Sequence, residues 1–106
     1  MSGMFSWCSS LKELNVSNFN TNNVIYMFDM FVGYSSLIEL NLSNFNTNKV
    51  ESMNSMFNNC RNLEKLDISN FITSSNFCKV DFIFFQCKSL LELNNYQISL
   101  DNKNLI

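Results

Sequence analysis

The sequence contains no histidine and no proline, and only two of its 106 residues are glycine. Without histidine the commonest general base and metal ligand is missing, and no glycine-rich loop is present to hold a phosphate. We therefore predict that the chain is not an enzyme and that it uses no cofactor and no metal. The scarcity of glycine and proline also leaves no flexible linker, which predicts a single domain over residues 1–106.

Charge and long hydrophobic runs are also scarce. Seven basic and nine acidic residues give a net charge of −2. So small a charge provides no long-range field, and we expect no binding to nucleic acid. No run of about 20 apolar residues could span a bilayer, and residues 1–10 lack the features of a signal peptide. We expect no membrane insertion, and a cell-surface or secreted location only for a longer parent protein.

The sequence does contain an internal repeat. The phrases LKELNVSNFNTNNV, LIELNLSNFNTNKV and LEKLDISNFITSSN share the spacing of Leu14, Leu40 and Leu66 (40 − 14 = 26 and 66 − 40 = 26). The fourth copy, at Leu93, is one residue later (93 − 66 = 27). A period of this size is typical of a solenoid, in which each coil packs against its neighbours. The period divides the chain into four coils, near residues 1–23, 24–49, 50–76 and 77–106.

Within one coil the apolar residues follow two different spacings. Leu40 and Leu42 alternate with polar residues, which indicates a short strand with one buried face. Thr47 or Asn48 then offers an N-cap, and the apolar residues that follow lie 3, 4 and 3 residues apart, as on one face of a helix: Val50, Met53, Phe57 and Cys60. We predict an α/β solenoid of four coils, with short parallel strands on one face and short helices on the other.

The repeat resembles a known family. The phrase LNLSNFNT, followed by Met56, Phe57, Cys60 and Leu63 in the pattern MFxxCxxL, is similar to the leucine-rich-repeat surface proteins of the BspA type, including the repeat of mycoplasma lipoproteins. This resemblance implies a leucine-rich-repeat-like solenoid at a cell surface, in proteins linked to adhesion and host contact. It supplies no catalytic residues. One departure is the turn where asparagine or cysteine usually forms a ladder; we expect aromatic packing there, from Phe19, Phe45 and Phe71.

Three of the four cysteines fall in one column of the repeat. Cys8, Cys60 and Cys87 align, and Tyr34 holds the same position in the second coil. Adjacent strands lie about 4.7–4.9 Å apart, so a disulfide between Cys60 and Cys87 is conceivable, whereas Cys8 and Cys60 are two coils apart. We favour free thiols that fill a small core position. Cys78 lies outside the column and is expected to be the most exposed thiol.

The polar residues between the strand leucines form the candidate binding surface, which we call the strand face. Side chains alternate between the two faces of a strand, so these residues point away from the core and stack from coil to coil. One row consists of Glu13, Glu39, Lys65 and Glu92, and the other of Asn15, Asn41, Asp67 and Asn94. The strand face either binds a protein or glycan partner or simply keeps the sheet soluble, through amides that bond along the row.

The strand face and the resemblance together favour a non-catalytic protein-binding or adhesion module of a cell-surface protein. The alternative is a structural spacer or an intracellular scaffold repeat with no ligand of its own. The first coil starts at Met1, in the middle of the phrase in which Met27 and Met53 hold the same position. Its apolar residues would then have a neighbour on one side only. We therefore expect a partial array that can self-associate end to end.

Overall fold

A computed structural model of the protein describes residues 1–8, 10–72 and 78–95. Three short strands lie within these ranges: β1, Glu39–Asn41; β2, Lys65–Ile68; and β3, Glu92–Asn95. They form one parallel sheet in the order β1-β2-β3, with Leu40, Leu66 and Leu93 as register partners. The sheet register therefore follows the sequence repeat. The equivalent phrase of the first coil, residues 13–16, belongs to no strand.

The prediction of an α/β solenoid with short helices is wrong. The described residues contain no helix, and therefore none in this part of the chain has the length and apolar character needed to cross a bilayer. The segments predicted as helices are runs of turns, which we call the turn layer; they occupy residues 1–8, 27–34, 53–60 and 80–87. Each coil thus combines one strand phrase with one run of turns around a shared core.

Hydrogen bonds between coils explain why the turn layer is not helical. In a helix, each backbone N–H bonds to the carbonyl four residues earlier in the same segment. Here alternate N–H groups of the second coil donate to carbonyls of the third at 2.8 to 3.0 Å: Met27 to Ser52, Asp29 to Asn54, Phe31 to Met56 and Gly33 to Asn58. The third coil donates to the fourth in the same way. These donors are therefore not available to a helix.

Left-handed backbone at two positions in each coil shapes the turn layer. One column of such residues is Gly3, Asp29, Ser55 and Phe82, and the other is Trp7, Gly33, Asn59 and Gln86, with φ between 56° and 70°. Asn59, for example, is the third residue of a turn in which the N–H of Cys60 donates to the carbonyl of Phe57 at 3.2 Å, as in a type II turn. The interior of a right-handed helix excludes such residues.

The turn layer buries its apolar side chains at helical spacing. Two consecutive four-residue turns cover residues 53–56 and 57–60. Their first and last residues are Met53, Met56, Phe57 and Cys60, and all four side chains are fully buried. The residues at the turn tips, 54, 55, 58 and 59, are only partly buried. A turn of four residues repeats at nearly the 3.6-residue period of a helix. The 3-4-3 spacing is therefore common to both structures.

The core consists of side-chain columns that run through all four coils. Phe5, Phe31, Phe57 and Phe84 form one column of stacked rings, with centroids 5.5, 5.7 and 5.8 Å apart and planes within 10° of parallel. Leu40 and Leu66 lie below the strand face and are buried. Such columns bury apolar area only when a neighbouring coil is present, so stacking provides the hydrophobic stabilisation.

Polar side chains also join neighbouring coils. The hydroxyl of the buried Thr21 accepts the Asn46 N–H at 2.8 Å and donates to the Asn46 carbonyl at 3.2 Å. Thr47 forms the same pair of bonds with Ile72. Its predicted role as an N-cap is therefore wrong, because its hydroxyl bridges two coils instead of starting a helix.

An amide ladder is present in the turn after the strand. We had expected aromatic packing instead of such a ladder. The Asn44 side chain donates to the carbonyls of Val16 and Ser17 in the preceding coil, at 3.1 and 3.2 Å. Asn70 donates to the Ser43 carbonyl in the same way. The next residues, Phe45 and Phe71, do stack, with ring centroids 6.4 Å apart. The turn therefore has both features.

Candidate functional site

The structure brings all eight predicted residues of the strand face to one shallow groove. The groove has a volume of about 410 Å³, and its floor includes Leu14, Leu40 and Leu66. Its walls are the two predicted rows: Glu13, Glu39, Lys65 and Glu92, with Asn15, Asn41, Asp67 and Asn94. The parallel register places equivalent residues of successive coils side by side, as in Glu39 with Lys65 and Asn41 with Asp67.

The charged row makes the groove acidic. Its carboxylates, together with Asp67, contribute four negative charges and Lys65 one positive charge, a net charge of −3 (−4 + 1). Lys65 lies 3.7 Å from Glu39, and both side chains are more than half exposed. Such an exposed pair contributes little to stability. The side chains of this row are therefore free to contact a partner without unfolding the sheet.

The amide row has a structural role that limits its freedom. The side-chain oxygens of Asn15 and Asn41 accept the backbone N–H groups of Ser17 and Ser43, both at 2.9 Å. These Asx turns fix the bend after each strand phrase. One of the two alternatives for this row was that its amides bond along it, but each of these two amides bonds within its own coil.

Asp67 belongs to the same row and is the one acid in it. Its carboxylate accepts the Ser69 N–H at 3.0 Å and the Asn94 amide at 3.5 Å, which is the one bond found along the row among the described residues. Hydrogen bonds from the Ser69 side chain and backbone hold the pKa of the Asp67 carboxyl below its usual value, with a smaller contribution from Asn94. Asp67 is therefore ionised at neutral pH.

The cysteines are free thiols, as predicted, and two of them bond to the neighbouring coil. The fully buried Cys60 donates to the Phe31 carbonyl at 3.2 Å, and Cys87 donates to the Phe57 carbonyl at 3.0 Å. Burial raises the pKa of the Cys60 thiol and raises that of Cys87 to about 11. Neither thiol is activated as a nucleophile. Cys78 is partly exposed, as are Cys8 and Cys87, whereas Cys60 is buried; the greatest exposure of Cys78 stays a prediction.

No group of three or more Cys, Asp or Glu side chains that could hold a metal ion is found in residues 1–8, 10–72 and 78–95. Burial also raises the pKa of the Cys78 thiol.

The sequence analysis missed most of a set of exposed aromatic side chains that lie on the turn layer or directly before it. Five of them are 38 to 65% exposed: Trp7, Tyr26, Phe28, Phe82 and Phe85. A signal was present in the repeat, because the equivalents of Phe28 in the next two coils are the polar Asn54 and Asp81. A core column would have remained apolar.

The stacked coils and the continuous strand face define a repeat protein whose surface rows are built from equivalent residues. Residues 1–104 match the model of a family described as Mycoplasma protein of unknown function, DUF285, and the chain belongs to this family. The resemblance to the mycoplasma repeat is thereby confirmed, whereas the likeness to BspA-type leucine-rich-repeat proteins is not. Comparisons with curated proteins and with solved structures gave no match.

Proposed function

We propose that the chain is a non-catalytic binding module that contacts a protein or glycan partner through the strand face at a cell surface. The observation that supports this proposal is the convergence of two side-chain rows on one groove, where eight residues from four coils lie together. Extended surfaces of this type are how stacked-repeat proteins contact partners.

The charge of the groove favours a partner with cationic or hydrogen-bonding groups. The groove carries a net charge of −3 (−4 + 1) on a chain whose total net charge is −2, so the acidic charge is concentrated on this surface. Complementary charge across an interface raises the association rate and favours correct partners. Glu13, Glu39 and Glu92 supply the accessible carboxylates.

A binding experiment with paired variants tests this proposal. The purified chain is applied to an array of glycans and to an array of extracellular proteins, with Glu39→Lys/Glu92→Lys as the variant. Glu51→Lys is the control, because Glu51 is an exposed acid outside the strand face. We expect partners that the strand-face variant loses and the control keeps. Equal binding by both variants would exclude the strand face as the contact surface.

A chain that binds neither array would support the alternative function, a structural spacer or scaffold repeat. Location separates the two proposals further. Protease treatment of intact cells should remove an adhesion module from the surface, while an intracellular scaffold would remain protected. A protected chain would contradict the proposed surface role.

A further inference from the structure

The two walls of the strand-face groove offer opposite hydrogen-bonding groups. In the amide row, Asn15 and Asn41 each accept a backbone N–H through the side-chain oxygen, which leaves the Nδ2 group as the free end of the amide. Neither Nδ2 group donates to a described residue. On the other wall, the carboxylates of Glu13 and Glu39 can only accept. A ligand that uses both walls therefore needs acceptors on one side and donors on the other.

The groove has the dimensions to take an extended polypeptide segment that crosses the strands. Glu39 and Asn41 are two residues apart along β1, so the two rows lie about 6.6 Å apart at the usual rise of a strand. The groove crosses four coils, and three strand spacings of about 4.8 Å give a length of about 14 Å, or about four extended residues. Successive side chains of an extended segment point to opposite sides. Alternate side chains can therefore face the carboxylates while the backbone carbonyls accept from the amides.

The groove already contains one contact of the kind that a cationic segment would make. The ammonium group of Lys65 lies 3.7 Å from the Glu39 carboxylate, and both side chains are more than half exposed. Such a pair is weak, so a lysine or arginine of a partner can take the place of Lys65. Glu13 and Glu92, the other acids of the charged row, form no ion pair with a described residue.

The lining of the groove favours a peptide over a glycan. The apolar face of a sugar ring typically stacks on an aromatic side chain, and none of the described lining residues is aromatic. Their apolar members are leucines, and the remaining members are the donors and acceptors of the two rows.

We propose that the occupant of the groove is a cationic segment of a protein partner, which lies in extended conformation across the strands, between the charged row and the amide row. Lys65 limits the affinity for this segment, because it is the one cation in a row that is otherwise acidic. This inference rests on the proposed function, since it names the occupant of the same surface.

Binding of a synthetic peptide of alternating lysine and serine residues tests the proposal. In extended conformation this peptide places its lysines on one side, where they can face the charged row. The matched probes are a peptide of alternating glutamine and serine, which has no charged side chains, and a chitosan oligosaccharide, which carries its cations on sugars. Titration calorimetry at several salt concentrations measures the affinity of each probe. We expect the lysine peptide to bind most tightly, and its affinity to fall as the salt concentration rises.

Lys65→Glu provides a gain-of-binding test, which a loss of folding cannot imitate. It removes the competing cation and makes the charged row acidic throughout, so the lysine peptide should bind about threefold more tightly or better. The control Lys79→Glu makes the same charge change at an exposed residue outside the groove and should have little effect. Asn41→Ser keeps an acceptor for the Ser43 N–H but removes the Nδ2 donor, so it should weaken binding by about threefold or more.

Equal gains from Lys65→Glu and Lys79→Glu would overturn the proposal, because the effect would then come from the total charge of the chain. Unchanged binding by Asn41→Ser would overturn the contact with two walls. Equal binding of the two peptides, or no binding of the lysine peptide, would overturn the cationic occupant, and the arrays then decide the proposed function independently. If chitosan binds more tightly than the lysine peptide and Glu39→Lys/Glu92→Lys abolishes this binding, the peptide occupant is wrong while the strand face remains the binding surface.

Discussion

The hydroxyl of Thr47 forms two hydrogen bonds with the backbone of Ile72 in the next coil. It donates to the Ile72 carbonyl at 2.9 Å and accepts the Ile72 N–H at 2.7 Å. Thr47 is fully buried, so water does not replace these bonds if the hydroxyl is removed. One short side chain therefore satisfies two backbone groups where the turn provides no backbone partner.

Thr47→Val should destabilise the protein by about 1–3 kcal/mol, because it leaves the Ile72 N–H and carbonyl without partners while keeping the side-chain shape. Thr47→Ser keeps the hydroxyl and loses one methyl group, so its effect should be about 1 kcal/mol or less. Urea unfolding of the two variants measures the difference. Equal losses would show that packing, rather than the hydroxyl, is what stabilises this position.

Gly33→Ala should destabilise the protein by more than about 1 kcal/mol. Gly33 has a φ of 70°, and a residue with a Cβ atom is strained in this left-handed conformation. The new Cβ would also lie 2.2 Å from the Trp7 ring. A double-variant cycle separates the two effects: Trp7→Ala should reduce the penalty of Gly33→Ala by removing the clash and leave the backbone part. A penalty independent of Trp7 would mean that the indole moves away at little cost.

Phe57→Ala should destabilise the protein by about 3–5 kcal/mol, because it removes a fully buried ring from the middle of the phenylalanine column. The control is Phe28→Ala, whose ring is 42% exposed and whose loss should be much smaller. Thermal or urea unfolding compares them. Similar losses at the two positions would contradict the assignment of Phe57 to the core.

Asp67 should make stability fall in acid. Its pKa is lowered in the folded protein, so its contribution is present above the unfolded-state pKa of about 3.9 and is lost as the pH falls through the folded-state pKa. Asp67→Asn keeps the Asx turn, as Asn15 and Asn41 show, but cannot ionise, so the variant should have a flatter acid limb and should lack at neutral pH the contribution of the carboxylate. Urea unfolding midpoints, determined at several pH values between neutral and strongly acidic, measure the pH dependence of stability in both proteins. An unchanged acid limb in the variant would assign the effect to other carboxylates.

The strand register and the strand face were predictable from the sequence because both depend only on the repeat and on the alternation of side chains. Leu40 and Leu66 are one period apart, and they are register partners in the sheet. The hydrogen bonds of the amide row were not predicted, although a signal was present. Asn15 is followed by Ser17 two residues later, and Asn41 by Ser43, which is the spacing of an Asx turn.

The turn layer was not predictable from hydrophobic spacing, because turns and helices bury apolar residues at nearly the same period. The distinguishing information lay in the polar positions. Asp29 and Ser55 share one column, and Gly33 and Asn59 share another, and both columns are left-handed. Glycine, asparagine and aspartate accept this conformation most readily. Their recurrence inside a supposed helix indicates turns.

The alternation of donors in the turn layer limits how such a chain can change length during evolution. Duplication of a whole coil keeps every backbone donor opposite an acceptor of the next coil. One added residue within the turn layer would shift this alternation by one position, so that donors no longer face acceptors. Ile72 is still 26 residues from its equivalent Asn46, whereas Lys79 is 27 residues from Ser52, with which it pairs. The single extra residue of the fourth coil therefore lies between Ile72 and Lys79. It thus precedes the turn layer. Relatives should accordingly differ by whole coils, with single-residue insertions confined to this connection.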